Sequence, residues 1–352
     1  MAAVDEPPQI RHPVGTSFAG RFDAVHPATW LLVIFLLFVP AFTNEFVQFQ
    51  VFGWAFILGM IALSLMFLAG YGGMVSLVQM SVAACAGYMI AIFGTSAVTD
   101  ISLGWPWWVT VFLALVVAVL FGTISGALSV RTEGIYTIMI TLAIASAFFY
   151  FTRQNYTIFN GFSGFNSVLP PQLFGVDWRA ATPFYYLSLF FAALSYASVL
   201  YVSKSPFGLA LQGIRDNARR MAALGYNVTA HRVAAYAFAS LIAAFGGILL
   251  TWQNSQISPG TAGVGRVIDI LIIAVVGGIS HPIGAFIGAF IYVLLRTFAL
   301  DILVSLGLDG QRFQLLIGGG FLLIVLFSPD GVVGLWRRWR ERARNYRQEE
   351  RP

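Results

Sequence analysis

The sequence predicts an all-α, polytopic helical membrane protein with about ten transmembrane helices, within a range of eight to ten. Of the 352 residues, 58% are hydrophobic and only 10% are charged, whereas globular domains carry about 25% charged residues. Apolar runs of about 20 residues, the length that crosses a bilayer, follow one another along the chain. Basic residues concentrate in alternate connections between these runs, as membrane proteins place them on the cytoplasmic side.

The apolar runs give the expected elements in order. They cover 28–43, 50–70, 74–98, 106–128, 133–152, 183–203, 233–253, 266–281, 284–305 and 313–328. The first and the eighth are short, which fits broken or re-entrant helices whose irregular backbone is buried by protein. We therefore divide the chain into a polar N-terminal tail (1–27), a membrane domain (28–330) and a basic C-terminal tail (331–352).

The basic residues predict the orientation. With the N-terminus inside, fifteen of the 20 Lys and Arg residues fall on the cytoplasmic side. They are Arg11, Arg21, Arg131, Lys204, Arg215, Arg219, Arg220, Arg232 and the seven arginines of 337–351. Both termini and the loop 204–232 are expected to be cytoplasmic, and the tail 1–27 lacks the apolar core of a signal peptide. The formal charge of +5 is explained by these loops and does not require a nucleic-acid partner.

The sequence shows none of the residue patterns that typically mark nucleotide-binding, metal-binding or catalytic sites. No G-x-x-x-x-G-K-[ST] segment occurs, the four histidines are scattered without metal-ligand spacing, and no nucleophile motif stands out. We expect no enzyme, no metal and no bound cofactor. Asp269 and Asp301 are the acidic residues within spans; with Arg266 and Arg296 nearby, a structural ion pair is favoured over an ion-coupling site.

One interior stretch, 211–225, is charged and predicts a short amphipathic helix. Apolar residues recur at helical spacing; they are Leu211, Ile214, Ala218, Met221 and Ala222. Gly225 is expected to end the helix in a left-handed conformation, and "SPFG" at 205–208 is expected to form a turn before it. Such a helix either lies on lipid or docks a soluble partner, and both alternatives stay open on the pattern alone.

Four stretches together resemble the permeases of branched-chain amino-acid ABC importers, the LivM type. They are "GYGGMVSLVQMSVAACAGY" (70–88), "RTEGIYTIMITLA" (131–143), the segment from "SPFGLALQGIRDNARR" onward (205–249) and "ISPG" followed by "VIDILIIAVVGGISHPIGAFIGA" (257–289). The order and spacing agree over roughly residues 50–330. The chain departs from the family at Val78, Gln79 and Val82. It also departs at Ala218 and Ala222, two positions where the family usually carries acids.

The resemblance implies a permease subunit of an ATP-driven importer in the bacterial inner membrane, most simply for branched-chain amino acids. Implied partners are a second, LivH-type permease, two ATP-binding subunits that hold the ATP, an external substrate-binding protein and membrane lipid. The predicted ATPase-coupling residues are Arg215, Asp216, Asn217, Arg219, Ala223 and Gly225. The predicted pathway residues are Gly72, Ser76, Gln79, Tyr136, Thr141 and Gly277. The Gly70–Gly73 and Gly277–Gly278 clusters fit either close helix packing or helix breaks beside that pathway.

Alternatives remain at this stage. Relatives of the family import urea, short amides or aromatic acids, so the cargo is open. A secondary transporter or channel, or a structural membrane scaffold, would also fit the apolar spans.

Overall fold

Helices make up almost all of the regular structure, which confirms the predicted fold class. The computed structural model describes residues 27–172, 175, 177–279, 281–305, 318–319 and 331. The elements are α1 (Pro27–Phe42), α2 (Val47–Tyr71), α3 (Gln79–Phe93), α4 (Trp107–Ser129), α5 (Ile135–Gln154), α6 (Tyr156–Phe159), β1 (Phe165–Asn166), α7 (Ala181–Lys204), α8 (Pro206–Ala223), α9 (Val228–Asn254), β2 (Gln256–Ile257), α10 (Val264–Gly277) and α11 (Pro282–Ser305).

The number of helices that can cross a bilayer by length is smaller than ten in the part of the chain that the structure describes. Five helices qualify: α2, α4, α5, α7 and α9. Helices α10 and α11 meet at an angle of 117°. They would give a sixth span if the two together count as one. α3 is only 15 residues long, or about 22 Å, against a hydrocarbon core of about 30 Å. The predicted span 313–328 and nearly all of both predicted tails lie outside the described residues.

The first helix belongs to a separate compact unit that ends at Asn44. Its helical part, α1, has 16 residues, and Pro40 lies inside it. After its last residue, Thr43 donates a side-chain hydrogen bond to the carbonyl of Val39 at 2.8 Å. All features described below belong to the second unit, Glu45–Pro352.

The centre of this second unit is built by α2, α3 and α9. In the most apolar 18-residue stretch of α2, 89% of the stretch is buried, and in that of α9 the share is 67%. In the corresponding stretches of α4, α5 and α7 the share is only 28%. Small residues allow the close approach of these helices. At Gly247 of α9 a side chain would overlap the backbone of Ala83 in α3, and at Gly126 of α4 it would overlap Tyr236 of α9. Within the described residues, the core of this unit is therefore a tightly packed bundle.

The outer helices expose apolar side chains. On α4 the exposed residues recur every four positions: Phe112, Val116, Leu120, Ile124 and Leu128. A stripe of this size on a monomer marks contact with lipid or with another protein. Together with the five long apolar helices, it identifies a multi-pass membrane protein.

The long helix α9 separates two ends of the unit. Its 27 residues span about 40 Å. At its C-terminal end, called here the loop end, β1 pairs antiparallel with β2 through Phe165 and Ile257. The loop after α3 joins the same end, because the Ala97 N–H donates to the carbonyl of Asn166 at 2.9 Å. At the other end, called the α8 end, Arg232 forms a 3.3 Å ion pair with Glu133 of the loop between α4 and α5.

Candidate functional site

The charged stretch forms a helix, α8, that starts earlier than the sequence predicts. It begins at Pro206, because the Ser205 hydroxyl accepts a hydrogen bond from the Gly208 N–H at 3.2 Å and so caps the first turn. Proline is well suited to this first position, since its missing N–H has no partner there in any helix. The prediction of a separate "SPFG" turn at 205–208 is therefore wrong, and these residues are the helix start.

A kink divides α8 into two pieces. Asn217 has an extended conformation (φ −158°, ψ 93°), and its Oδ1 accepts a hydrogen bond from the Arg220 N–H at 2.9 Å. Asparagine therefore caps a second, short helical piece in the middle of the charged stretch. Because of the kink, Met221 folds back against Gly213, eight residues earlier. The predicted single helix with one straight apolar stripe is thus corrected to two pieces.

The first piece is seated in the protein, and the second is largely on the surface. Leu211 and Ile214 are fully buried, whereas Ala218 and Met221 are half-buried and Ala222 is exposed. The second piece ends at Gly225, whose φ of +90° is the left-handed conformation expected there. The Gly225 N–H donates to the Ala222 carbonyl at 3.0 Å, and the Tyr226 N–H to the Met221 carbonyl at 3.1 Å. These two bonds close the helix end tightly.

The six predicted coupling residues therefore share one exposed surface at the α8 end, called here the α8 surface. It consists of Arg215, Asp216, Asn217, Arg219, Ala223 and Gly225, all exposed. Arg215 and Asp216 form an ion pair at 2.9 Å. Such an exposed pair contributes little to stability. Arg219 and Arg220 beside this pair are also exposed and add positive charge that can meet a polar partner surface.

Arg215 also reaches inward and links the α8 surface to the end of α2. Its Nη1 donates a hydrogen bond to the Gly70 carbonyl, one of the carbonyls that the end of a helix leaves without an intrahelical partner. The stem of Arg215 lies on Gly73, where φ is +66° and a Cβ would come within 2.6 Å of the arginine Cγ. Leu211 lies beside Gly72. Gly72, predicted as a pathway residue, is thus placed with the α8 surface contacts.

Between α2 and α3 the chain is irregular and buried. Helix α3 begins at Gln79, so the predicted span 74–98 is wrong at its start, and Met74–Val78 is not helical. Irregular backbone at membrane depth needs partners supplied by protein. The Leu77 N–H finds one in the Thr141 hydroxyl of α5, at 3.1 Å. We call residues 72–78 the break.

Three predicted pathway residues converge at the break: Ser76, Gln79 and Thr141 are all fully or almost fully buried. The Gln79 Oε1 accepts a hydrogen bond from the Ser64 hydroxyl at 3.2 Å. Its Nε2 is buried and has no hydrogen-bond partner among the described residues. Ser76 lies beside the phenol of Tyr236. This polar group in an apolar interior could have been expected only from the position of Gln79 after a glycine-rich turn.

The remaining two predicted pathway residues lie elsewhere. Tyr136 is 68% exposed on the outer surface of α5, apart from the break. Gly277 packs against Gly284 and Gly288, so that α10 and α11 touch backbone to backbone. At Gly277 the structure therefore shows the close-packing role that glycine has between membrane helices.

Of the four charged residues discussed for the spans, Arg266, Asp269 and Arg296 lie at the loop end, and the side chain of Asp301 lies outside the described part. Arg266 Nη1 is 3.8 Å from Asp269 Oδ2, as the predicted ion pair requires, but Arg296 lies over the ring of Trp54, 5.6 Å from its centroid. The sequence pattern gave no sign of this arginine–tryptophan contact. Within the described residues, no three His, Cys, Asp or Glu side chains converge as a metal site.

Comparisons with known proteins match most of this chain to one family. A family model described as "Branched-chain amino acid transport system / permease component" matches residues 47–326. The chain is 22% identical over 300 residues to the high-affinity branched-chain amino acid transport system permease protein LivM of Salmonella typhimurium, covering 79% of this chain and 66% of that protein.

Two further relatives are named for a different cargo or for a different type of permease. The ribose import permease protein RbsC of Haemophilus influenzae is 24% identical over 260 residues, covering 70% of this chain and 76% of that protein. A probable branched-chain amino acid transport permease protein LivH of Methanocaldococcus jannaschii is 25% identical over 181 residues, covering 44% and 55%. The chain thus spans just under two thirds of the length of the LivM relative. No solved structure matches.

Proposed function

The chain belongs to the family of permease components of branched-chain amino acid transport systems, and from this premise we propose that it is one membrane subunit of an ATP-driven importer. The observation that carries the proposal is the α8 surface. It combines an exposed, charged, rigidly capped helix with an arginine that holds the end of a buried membrane helix. A helix lying on lipid would need its apolar side outward, but Leu211 and Ile214 face the protein.

The mechanism follows from the connection between α8 and the break. A soluble subunit that moves α8 moves Arg215, and with it the Gly70 carbonyl at the end of α2. The chain after Gly70 leads directly into the break, where Ser76 and Gln79 supply polar groups. Motion at the α8 surface would therefore change the packing at the centre of the membrane. This chain itself binds no nucleotide in the proposal, and ATP is hydrolysed by two separate subunits.

The orientation we propose places the α8 end in the cytoplasm. The described basic residues at that end are Arg131, Lys204, Arg215, Arg219, Arg220 and Arg232, and those at the loop end are Arg153, Arg179, Arg266 and Arg296. The excess of six against four has the direction of the positive-inside rule. The proposed location is the plasma membrane of a bacterium, with both termini inside.

The proposed partners follow from the two ends and the exposed sides. Two ATP-binding subunits serve the complex at the cytoplasmic end, one of them on the α8 surface. A second, LivH-type permease completes the translocation pathway, since the described core of this chain is packed shut. An external substrate-binding protein delivers the cargo to the loop end. Lipid covers the remaining apolar sides.

The cargo we propose is a branched-chain amino acid, with a pentose as the second candidate. The match to a ribose permease covers a larger share of that relative, 76%, than the match to LivM. The charged residues at the loop end favour the amino acid, because an uncharged sugar offers no partner for them. Imports of urea, short amides or aromatic acids, and a secondary transporter or channel, remain outcomes of the test.

The test is uptake by the purified complex in proteoliposomes, with ATP enclosed on the side of the ATPase. We expect uptake of radiolabelled L-leucine that needs ATP and persists after ionophores collapse the ion gradients. Uptake that stops with the gradients and ignores ATP would indicate a secondary transporter. Ribose uptake without leucine uptake would select the second candidate.

Arg215→Gln tests the coupling in the same assay. It removes the cation that holds the Gly70 carbonyl, so we expect bound ATPase to keep hydrolysing ATP while uptake falls at least about 10-fold. Arg131→Gln, an exposed arginine at the same end, is the matched control and should transport normally. Equal transport by both variants would contradict the role of Arg215.

A further inference from the structure

A cavity of about 310 Å³ lies at the loop end, between α2, α9, α10 and α11. This volume is at the lower end of the range for sites that hold small molecules. The apolar part of its lining includes Trp54, Leu58, Leu250 and Ile270. The charged part consists of Arg266, Asp269 and Arg296. We call this space the loop-end cavity.

The three charges of the cavity do not cancel one another. Arg266 and Asp269 are 3.8 Å apart, near the limit for an ion pair, and the phenol of Tyr292 lies against the same carboxylate. Arg296 is stacked on Trp54, and no carboxylate among the described side chains lies within 4.0 Å of it. Two cations and one anion leave an excess positive charge that faces the open space.

This arrangement is poorly explained by stability alone. Ionisable side chains within membrane segments are costly and mark functional sites by default. A structural ion pair would match each arginine with a close carboxylate, whereas here one arginine is held by an aromatic ring and both point into a space large enough for a solute. Among the described side chains, the partner that Arg296 lacks is an anion.

We infer that the loop-end cavity binds the zwitterion of an α-amino acid with an apolar side chain during import. The carboxylate lies between Arg266 and Arg296, the ammonium group meets Asp269, and the side chain lies against Trp54, Leu58 and Leu250. Arginine suits this role because its planar fork matches a carboxylate. This inference rests on the proposed function and deepens it, because it assigns a substrate site within this subunit.

The position of the cavity fits a site that receives cargo. It opens at the end opposite α8, where the proposed external binding protein docks. Its inner wall includes Met80, in the first turn of α3 and next to Gln79 at the break. The cavity therefore extends from the external loops to the level at which the membrane helices are interrupted.

The experiment is calorimetric titration of the nucleotide-free complex in nanodiscs, prepared without the external binding protein. The probes are L-leucine, its 2-oxo acid 4-methyl-2-oxopentanoate, which lacks the ammonium group, and 3-methylbutylamine, which lacks the carboxylate. We expect leucine to bind, the oxo acid to bind more weakly, and the amine and ribose not to bind. Arg296→Gln should weaken leucine binding at least about 10-fold, the loss expected for a hydrogen bond to a charged group.

Two variants separate this assignment from general damage. Asp269→Asn should weaken binding of leucine but not of the oxo acid, a ratio that misfolding cannot produce. Arg153→Gln is the matched control, because Arg153 also lies over aromatic rings, those of Phe149 and Phe162, but outside the cavity. It should bind leucine as the unchanged protein does.

Several results would overturn the assignment. They are the absence of leucine binding, equal binding by Arg296→Gln and the unchanged protein, or binding of the amine as tight as that of leucine. Co-purified ATPase and ATP-dependent leucine uptake are measured on the same samples. If these persist while the binding pattern fails, the loop-end cavity is not the site but the importer stands. If the binding pattern holds without any ATPase, the proposed function is wrong and the amino-acid site remains.

Discussion

Gly225 and Arg215 show what single residues reveal before a structure is known. The left-handed conformation of Gly225 could be predicted, because a glycine after an apolar helical stripe is a local signal for a helix end. The bond from Arg215 to the Gly70 carbonyl could not, because it joins residues 145 positions apart. Local pattern carries no information about which distant carbonyl an arginine reaches.

Gly225→Val is predicted to release the ATPase without unfolding the membrane helices. A β-branched residue in the left-handed region costs about 1–2 kcal/mol, so the end of the second α8 piece would open. Co-purification of the ATPase with the variant is the measurement. Gly104→Val is a close control: Gly104 also has positive φ and open space around its Cβ, but lies at the opposite end.

We expect Gly104→Val to retain the ATPase and Gly225→Val to lose most of it, at equal amounts in the membrane. Retention in both variants would show that the α8 surface does not dock this partner.

At the scale of elements, the long apolar helices were predictable and their interruptions were not. The predicted segments for α4, α5, α7 and α9 agree with the structure within a few residues. An uninterrupted apolar run that crosses a bilayer can satisfy its own backbone hydrogen bonds only as a helix. The sequence pattern did not show that α3 starts only at Gln79 or that α8 bends at Asn217. Both depend on hydrogen bonds that compete with the helix and that periodicity does not register.

Asn217→Ala is predicted to straighten or unravel the second piece of α8. Loss of a capping side chain costs about 1 kcal/mol, and here it removes the acceptor of the Arg220 N–H. The α8 surface would lose its fixed geometry, and substrate-stimulated ATP hydrolysis in proteoliposomes should fall several-fold.

The matched variant is Asn155→Ala. Asn155 caps α6 in the same way, through the Ile158 N–H at 2.9 Å, but at the loop end. A comparable fall in hydrolysis in both variants would mean that the effect is general instability rather than loss of the α8 geometry.

At the scale of the whole molecule, composition and charge were sufficient for the class of protein. They predict an all-helical membrane protein, and the family match confirms the kind of permease that the four motifs indicated. Only part of the predicted pathway residues lie together: Ser76, Gln79 and Thr141 meet at the break. Tyr136 faces outward, and Gly277 lies at the contact between α10 and α11. The presence of glycine in a sequence does not show whether it allows two helices to pack closely or interrupts a helix, because both roles depend on the lack of a side chain.

The orientation of the chain is tested by cysteine labelling. Cys85 is buried and is replaced by alanine first. With the α8 end inside, a membrane-impermeant maleimide added to intact cells should label Asp100→Cys in the loop after α3 and should not label Arg219→Cys. Both sites are exposed, so both should react once the membrane is permeabilised. Labelling of Arg219→Cys in sealed cells would reverse the proposed topology.

The buried amide of Gln79 lies directly after the irregular segment 72–78. Its Nε2 lacks a partner among the described residues, and a buried donor left unsatisfied costs about 1–3 kcal/mol. Any rearrangement at residues 72–78 that brings an acceptor to this amide recovers that free energy. Such a gain multiplies the population ratio of two conformations by about 5 to 150.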